Sequence, residues 1–204
     1  MKKYFAALTT TALISAAPFA LAASSTDLTV TGLITPVACT PTLSSSGVID
    51  LGKISSGDLL PDRNTKVGTD PLQLTVTCDA VTKFAVNPID NTHNAGFSGS
   101  FGLGKGNKGE ELGFYHPRVM KVMDGATVLD PIESADDGTT WAKADHARPG
   151  YLLSQATVGT TAPANAQNVT IDFEVDSWIA RADSLDLTNE ITIDGSATLE
   201  VKYL

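Results

Sequence analysis

The chain has 204 residues, 42% of them apolar, and carries 14 basic against 23 acidic side chains for a net charge of −9. An acid balance of this size repels nucleic acid and anionic lipid, so neither is an expected partner. The acidic residues are dispersed rather than gathered into a tail, and the length allows one domain, or one domain with an arm.

Residues 1–22 read as a secretory signal peptide. Lys2 and Lys3 supply the charged start, Phe5 to Ile14 an apolar run, Pro18 a helix breaker, and Ala20-Leu21-Ala22 a small-x-small cleavage site. Threonines, serines and Pro18 leave this stretch only weakly apolar, and no later segment is long and apolar enough to span a bilayer. Removing the leader leaves 182 residues and 12 basic against 23 acidic side chains, a charge of −11.

The stretch Thr26 to Cys39, TDLTVTGLITPVAC, opens the remaining chain as a strand. Leu28, Val30 and Ile34 fall on one side by the two-residue period, with Gly32 in the middle of that row. A glycine inside a strand marks a place where something large approaches closely. Cys39 and Cys78 are the two cysteines, and in an exported chain one disulfide is the natural inference. Closing a loop of about 40 residues removes roughly 4 kcal/mol of unfolded-state entropy on the chain-entropy view. A zinc site needs two more ligands nearby, and a redox dithiol is usually Cys-x-x-Cys; neither pattern is present.

Gly47 to Ile54 reads as a short apolar strand punctuated by glycines, and Ser55 to Asp70 as a polar loop. Leu72, Leu74, Val76 and Cys78 alternate with Gln73, Thr75 and Thr77, a half-buried strand with Cys78 on the core side. Phe84 and Val86 point inward before Pro88 stops that strand, and Asn87 to Gly113 is a glycine-rich loop with one irregular strand. Asp124-Gly125 joins two strands as a β-hairpin, and Asp136-Asp137-Gly138 is a further turn. Tyr151 to Val158 and Val169 to Val175 are strands, the second strictly alternating. Ala197, Leu199, Val201 and Tyr203 alternate with polar residues up to the last residue, Leu204. The expectation is an all-β sandwich of about seven short strands separated by turns.

These features together resemble the subunits of chaperone-usher fimbriae, the pilins of Gram-negative bacteria. The resemblance is carried by the apolar row around Gly32 seven residues before Cys39, by Val48 to Gly52, similar to a Val-Asp-Leu-Gly segment after the first cysteine, and by the alternating last strand with penultimate Tyr203. It departs from the family at the start of that strand, where Ile191 stands at the usual glycine position and Asp194-Gly195 reads as a hairpin turn or a bulge. The resemblance implies an incomplete immunoglobulin-like β-sandwich over 39–204, preceded by a donor-strand extension over 23–38. It further implies that Leu28, Val30, Gly32 and Ile34 donate to a neighbouring subunit. The groove beside Ala197, Leu199, Val201 and Tyr203 then accepts a strand and binds a periplasmic chaperone. An outer-membrane usher and neighbouring pilins are the other implied partners, and the location is the cell surface, reached through the periplasm. The alternative within the family is a minor or adhesive subunit that binds a host ligand.

Motifs that would carry catalysis fall short. Gly104-x-Gly106-x-x-Gly109 and Gly99-x-x-x-x-Gly104-Lys105 approach nucleotide-binding fingerprints but lack the helix that receives the phosphates. His93, His116 and His146 have no second ligand at metal spacing, Asp145 and His146 point to opposite faces of an extended chain, and Ser98 misses a nucleophile elbow by one residue. All four read as surface loop residues, and Trp141 and Trp178 as core. No catalytic residue, metal or cofactor is expected, and an exported enzyme stays the rival class that a hydrolase screen would expose.

Overall fold

The alternation of Val169 to Val175 extends, in a computed structural model of the chain, over a 14-residue strand in which every second residue from Val169 to Ile179 is buried. The chain divides into two units, Met1–Ile34 and Thr35–Leu204. The structure describes Thr29, 37–92 and 97–204, so Ala20, Ala22, Leu28, Val30, Gly32, Ile34 and His93 lie outside the described residues. The second unit holds β1 Cys39–Leu43, β2 Thr65–Thr82, β3 Phe84–Asp90, β4 Phe101–Gly102, β5 Gly113–Asp124, β6 Thr127–Ser134, β7 Ala142–Lys143, β8 Leu152–Thr157, β9 Ala166–Ile179 and β10 Ala197–Tyr203. Three short 3-10 turns are the helical segments among the described residues.

The strands form one antiparallel hydrogen-bonded path, β1-β2-β9-β5-β6-β8-β3-β10, with β4 beside β5 and β7 beside β6. The path folds over on itself. Leu74 and Val76 of β2 and Ile171, Phe173 and Val175 of β9 therefore pack in one core with Phe84 and Val86 of β3 and Leu153 of β8. The protein is all-β, a nearly closed two-layered sandwich. A smaller core of Leu103, Leu112 and Ile179 fills one end. Cys39 and Cys78 stand directly opposite in the β1-β2 register and are joined by the inferred disulfide.

Several expectations are corrected. Ten strands are present among the described residues, two of them the two-residue β4 and β7, and the polar segment from Thr65 to Asp70 pairs with β9 and belongs to β2 rather than to a loop. Pro71 is tolerated there because β1 covers only Leu74 to Cys78, leaving β2 an edge strand at the proline. Pro88 does not stop β3 either: β8 covers only Ala85 and Val86, and β3 runs on beside β10 to Asp90. The β5-β6 hairpin forms one residue later than expected, with Asp124 paired to Thr127 and Gly125 taking the positive φ of 56°. Trp178 faces outward between buried Ser177 and Ile179, with its ring 6.3 Å from and stacked on Phe114 of β5; Trp141 is half-buried, its Nε1 donating to Gly138 O. Neither is a core residue.

Candidate functional site

The two ends of the strand path meet at one point and then diverge. At the meeting point the backbone N–H of Cys39 in β1 donates to Tyr203 Oη of β10 at 2.8 Å. Beyond it, β1 leaves β2 after the Leu43-Leu74 pair, because Ser45, Ser46 and Gly47 all adopt positive φ (51°, 53° and 74°) and turn the chain away. Ser44 Oγ accepts the Gln73 N–H at 2.9 Å and anchors this turn. The chain then runs through residues 48–54 without a strand partner, turning at Gly52, whose φ is 63° and whose N–H donates to Asp50 Oδ1 at 2.8 Å, and Leu51 occupies the space that a side chain at Gly68 would need.

Opposite lies the second lip, residues 185–196, which turns at Leu187 and Thr188 and then runs from 190 to 196 outside any strand ladder. It is held from behind by the hairpin at 104–111. Asp186 N–H donates to Glu110 Oε1 at 2.7 Å, Asn107 Nδ2 donates to Asp186 O at 2.9 Å, and Lys108 Nζ pairs with Asp186 Oδ2 at 3.0 Å. The Thr188 hydroxyl and Lys108 hold the Asp186 carboxyl below its ordinary pKa, and the Asp186 backbone N–H does the same for Glu110. Further along, Asp194 N–H donates to Leu103 O at 3.1 Å, and Asn91 N–H to Ser196 O at 3.0 Å. Gly195 is neither hairpin turn nor bulge but extended chain pressed on β4, where a Cβ would stand 3.0 Å from Gly102 O.

Between the lips is a cleft of about 970 Å3. Its floor is apolar, made by Leu72, Phe173 and Val175 toward the main core and by Leu103, Leu112 and Ile179 toward the smaller one. Phe101 and Tyr115 stack in its middle with ring centroids 5.1 Å apart, and burial pushes the Tyr115 hydroxyl's pKa well up. Such a volume lies at the top of the usual small-ligand range of roughly 300–1,000 Å3, yet its walls are two backbone segments outside the strand ladders rather than a ring of converging side chains. Among the described residues, the backbone amides of Ile49, Leu51 and Lys53 on one lip and of Ile191 and Ile193 on the other have no hydrogen-bond partner. These residues are half-buried, or exposed at Lys53, so water can reach the amides, and an open apolar edge is a template for another strand. Because the lips run in opposite directions, an inserted strand would be antiparallel to one and parallel to the other.

Of the expected acceptor residues, Ala197 and Leu199 line the cleft, while Val201 packs on the main core and Tyr203 stands beyond the cleft's end, against Cys39. The sequence reading missed Ile49, Leu51 and Ile54 on the first lip and Leu187, Ile191 and Ile193 on the second. The second lip had a usable signal: the odd-numbered apolar row of β10 continues back through Ile193, Ile191, Leu187 and Leu185.

The near-miss motifs fall elsewhere. Gly104, Gly106 and Gly109 belong to the hairpin closed by the Lys105-Glu111 bridge, and β5 rather than a helix follows them. Ser98 is exposed in a turn. His116 is not a loop residue: it sits half-buried on β5, 3.3 Å from Ser100 Oγ, with its pKa lowered by burial and by His146. His146 Nδ1 lies 2.7 Å from Asp145 Oδ1, so these neighbours meet although an ideal strand would part them.

The family described as protein of unknown function (DUF1120) matches residues 28–100, which include both cysteines and the first lip. The chain is 28% identical to protein GltF of Escherichia coli (strain K12), in a match covering 97% of this chain and 98% of that protein. It is 26% identical to the uncharacterized protein YhcF of the same organism, over 91% of this chain and 94% of the relative.

Proposed function

We propose that this chain is a structural subunit of a chaperone-usher fimbria that polymerises by exchanging strands between copies and supports adhesion at the bacterial surface. The observation that carries this reading is the apolar cleft bordered by two segments outside the strand ladders, Ile49 to Lys53 and Ile191 to Ile193, whose amides at Ile49, Leu51, Lys53, Ile191 and Ile193 have no partner among the described residues. Strand addition at a sheet edge, of which chaperone-pilin complementation is a standing example, supplies backbone hydrogen bonds for affinity and alternate side chains for fit. The occupant is residues 26–34 of a second copy: Leu28, Val30 and Ile34 form an apolar row of two-residue period, and Gly32 within that row leaves room for a close approach to the cleft's floor. Burying those three side chains contributes roughly 5–9 kcal/mol at about 1.5–3 each, an upper bound for an extended reference chain. Ladder hydrogen bonds add about 0.5–1.5 kcal/mol apiece.

In this reading residues 1–22 direct export and are removed at Ala20-Leu21-Ala22, a periplasmic chaperone occupies the cleft first, and an outer-membrane usher hands the subunit to its neighbour. Among the described residues no helix is long and apolar enough to cross a membrane. The test uses a synthetic peptide copied from residues 24–38, titrated into the purified chain with Leu28, Val30 and Ile34 replaced by Asp so that it cannot donate. Saturable binding with a raised Tm is expected. A chain that is stable alone and ignores the peptide sinks the proposal.

A further inference from the structure

We infer that the Tyr203 hydroxyl closes one end of the cleft and thereby selects a strand from a second copy over the chain's own N-terminal arm. The inference rests on the proposed function and adds what decides between filling in cis and in trans. Its observation is the bond from Cys39 N–H to Tyr203 Oη at 2.8 Å, which ties the first residue of β1 to the last residue of β10. The chain preceding Cys39 continues along β2, with Asp79 N–H donating to Ala38 O at 2.9 Å and Val37 packed on the core. It therefore heads away from the cleft, whose near end is lined by Leu43 and Leu199.

Chain length makes the direction matter. Leu43 lies six residues past Val37, about 20 Å along the strand at roughly 3.3 Å per residue. Between Ile34 and Val37 stand only Thr35 and Pro36, and those three steps span at most about 11 Å. An arm that doubled back would therefore place Ile34 beside Cys39 to Pro41, in the gap that Tyr203 closes, and spend that anchor outside the cleft. Opening the gap means breaking the Tyr203 bond. An arm from another copy carries no such tether and fills the cleft while the bond stays closed.

The experiment compares the full exported chain with its Tyr203→Phe variant, refolded over a range of concentrations and sized by light scattering. Wild type is expected to give concentration-dependent oligomers. The variant should raise the ratio of protected monomer to oligomer about fivefold, the worth of one net hydrogen bond. Peptide 24–38 added to the donor-deficient forms of both separates the two ideas. If neither takes it, the cleft reading itself fails; if both take it and the monomer ratio is unchanged, Tyr203 is not the selector. A second readout keeps the test decisive should the variant fold poorly: in the donor-deficient wild type, hydrogen exchange at the Cys39 amide should stay slow when the peptide is bound. Loss of that protection on filling overturns the inference.

Discussion

Gly195→Val tests whether the second lip is held by its contact with β4. A Cβ at Gly195 would stand 3.0 Å from Gly102 O, 3.0 Å from Leu103 Cδ2 and 3.2 Å from Tyr115 Cε1. Leucine 103 can rotate, but Gly102 cannot give way: it is paired with Phe114 of β5, and its N–H donates to Asp90 Oδ2 at 3.2 Å. Residue 195 does not adopt a positive φ, so the conflict for valine there is one of space. The lip must lift, and the bonds flanking it, Asp194 N–H to Leu103 O and Asn91 N–H to Ser196 O, go with it. Two net hydrogen bonds at about 0.5–1.5 kcal/mol each come to roughly 1–3 kcal/mol, the same size as typical overpacking costs. For a chain of this length, at about 2–4 °C per kcal/mol, that lowers Tm by about 2–12 °C. Calorimetry reads the stability loss, and titration with peptide 24–38 should show at least tenfold weaker binding, because one edge is displaced. A variant with wild-type Tm and wild-type affinity would refute the reasoning, since the lip would then owe nothing to β4.

Three further outcomes are expected. Gly32→Leu leaves the described domain folded by circular dichroism but blocks polymerisation, and fibres of normal length in electron micrographs would count against the donor row. Deleting Ala197 to Leu204 removes the seven-residue β10-β3 ladder together with Leu199 and Val201 from the core; the truncated chain should not accumulate in the periplasm, which immunoblotting of that fraction checks. Acid should loosen the second lip: Glu110 and Asp186 are both held below their ordinary values of 4.5 and 3.8, so their support is complete above those values and is lost as pH falls through the lowered folded-state ones. Peptide affinity measured from pH 7 to pH 3 should therefore stay level above pH 4.5 and fall below it, a drop that Asp186→Asn should reduce and the Glu110→Gln/Asp186→Asn double variant, by removing both titrating carboxyls, should flatten.

Much of the sandwich was legible because β9, the centre of β2 and β10 are amphipathic in their own right. Leu72 to Cys78 and Val169 to Val175 show which face is core without reference to any neighbour. Pro88 misled, since it looks like a stop but sits where β3 has lost its β8 neighbour, as Pro71 sits where β2 has lost β1. Trp178 misled through its size: its place in the alternation, between Ser177 and Ile179, sends it outward.

The amino-acid order by itself determined the all-β class, the one possible disulfide partner for Cys39 and the apolar row that ends at Tyr203, because each follows from a two-residue period or from a count. Only the tertiary structure decided that residues 48–54 and 185–196 face each other as unpaired edges. Whether an extended segment finds a partner depends on the path of distant chain, here on a turn at Ser45 and Ser46, residues with no marked preference for positive φ, and on the hairpin at 104–111 that holds the far lip in place.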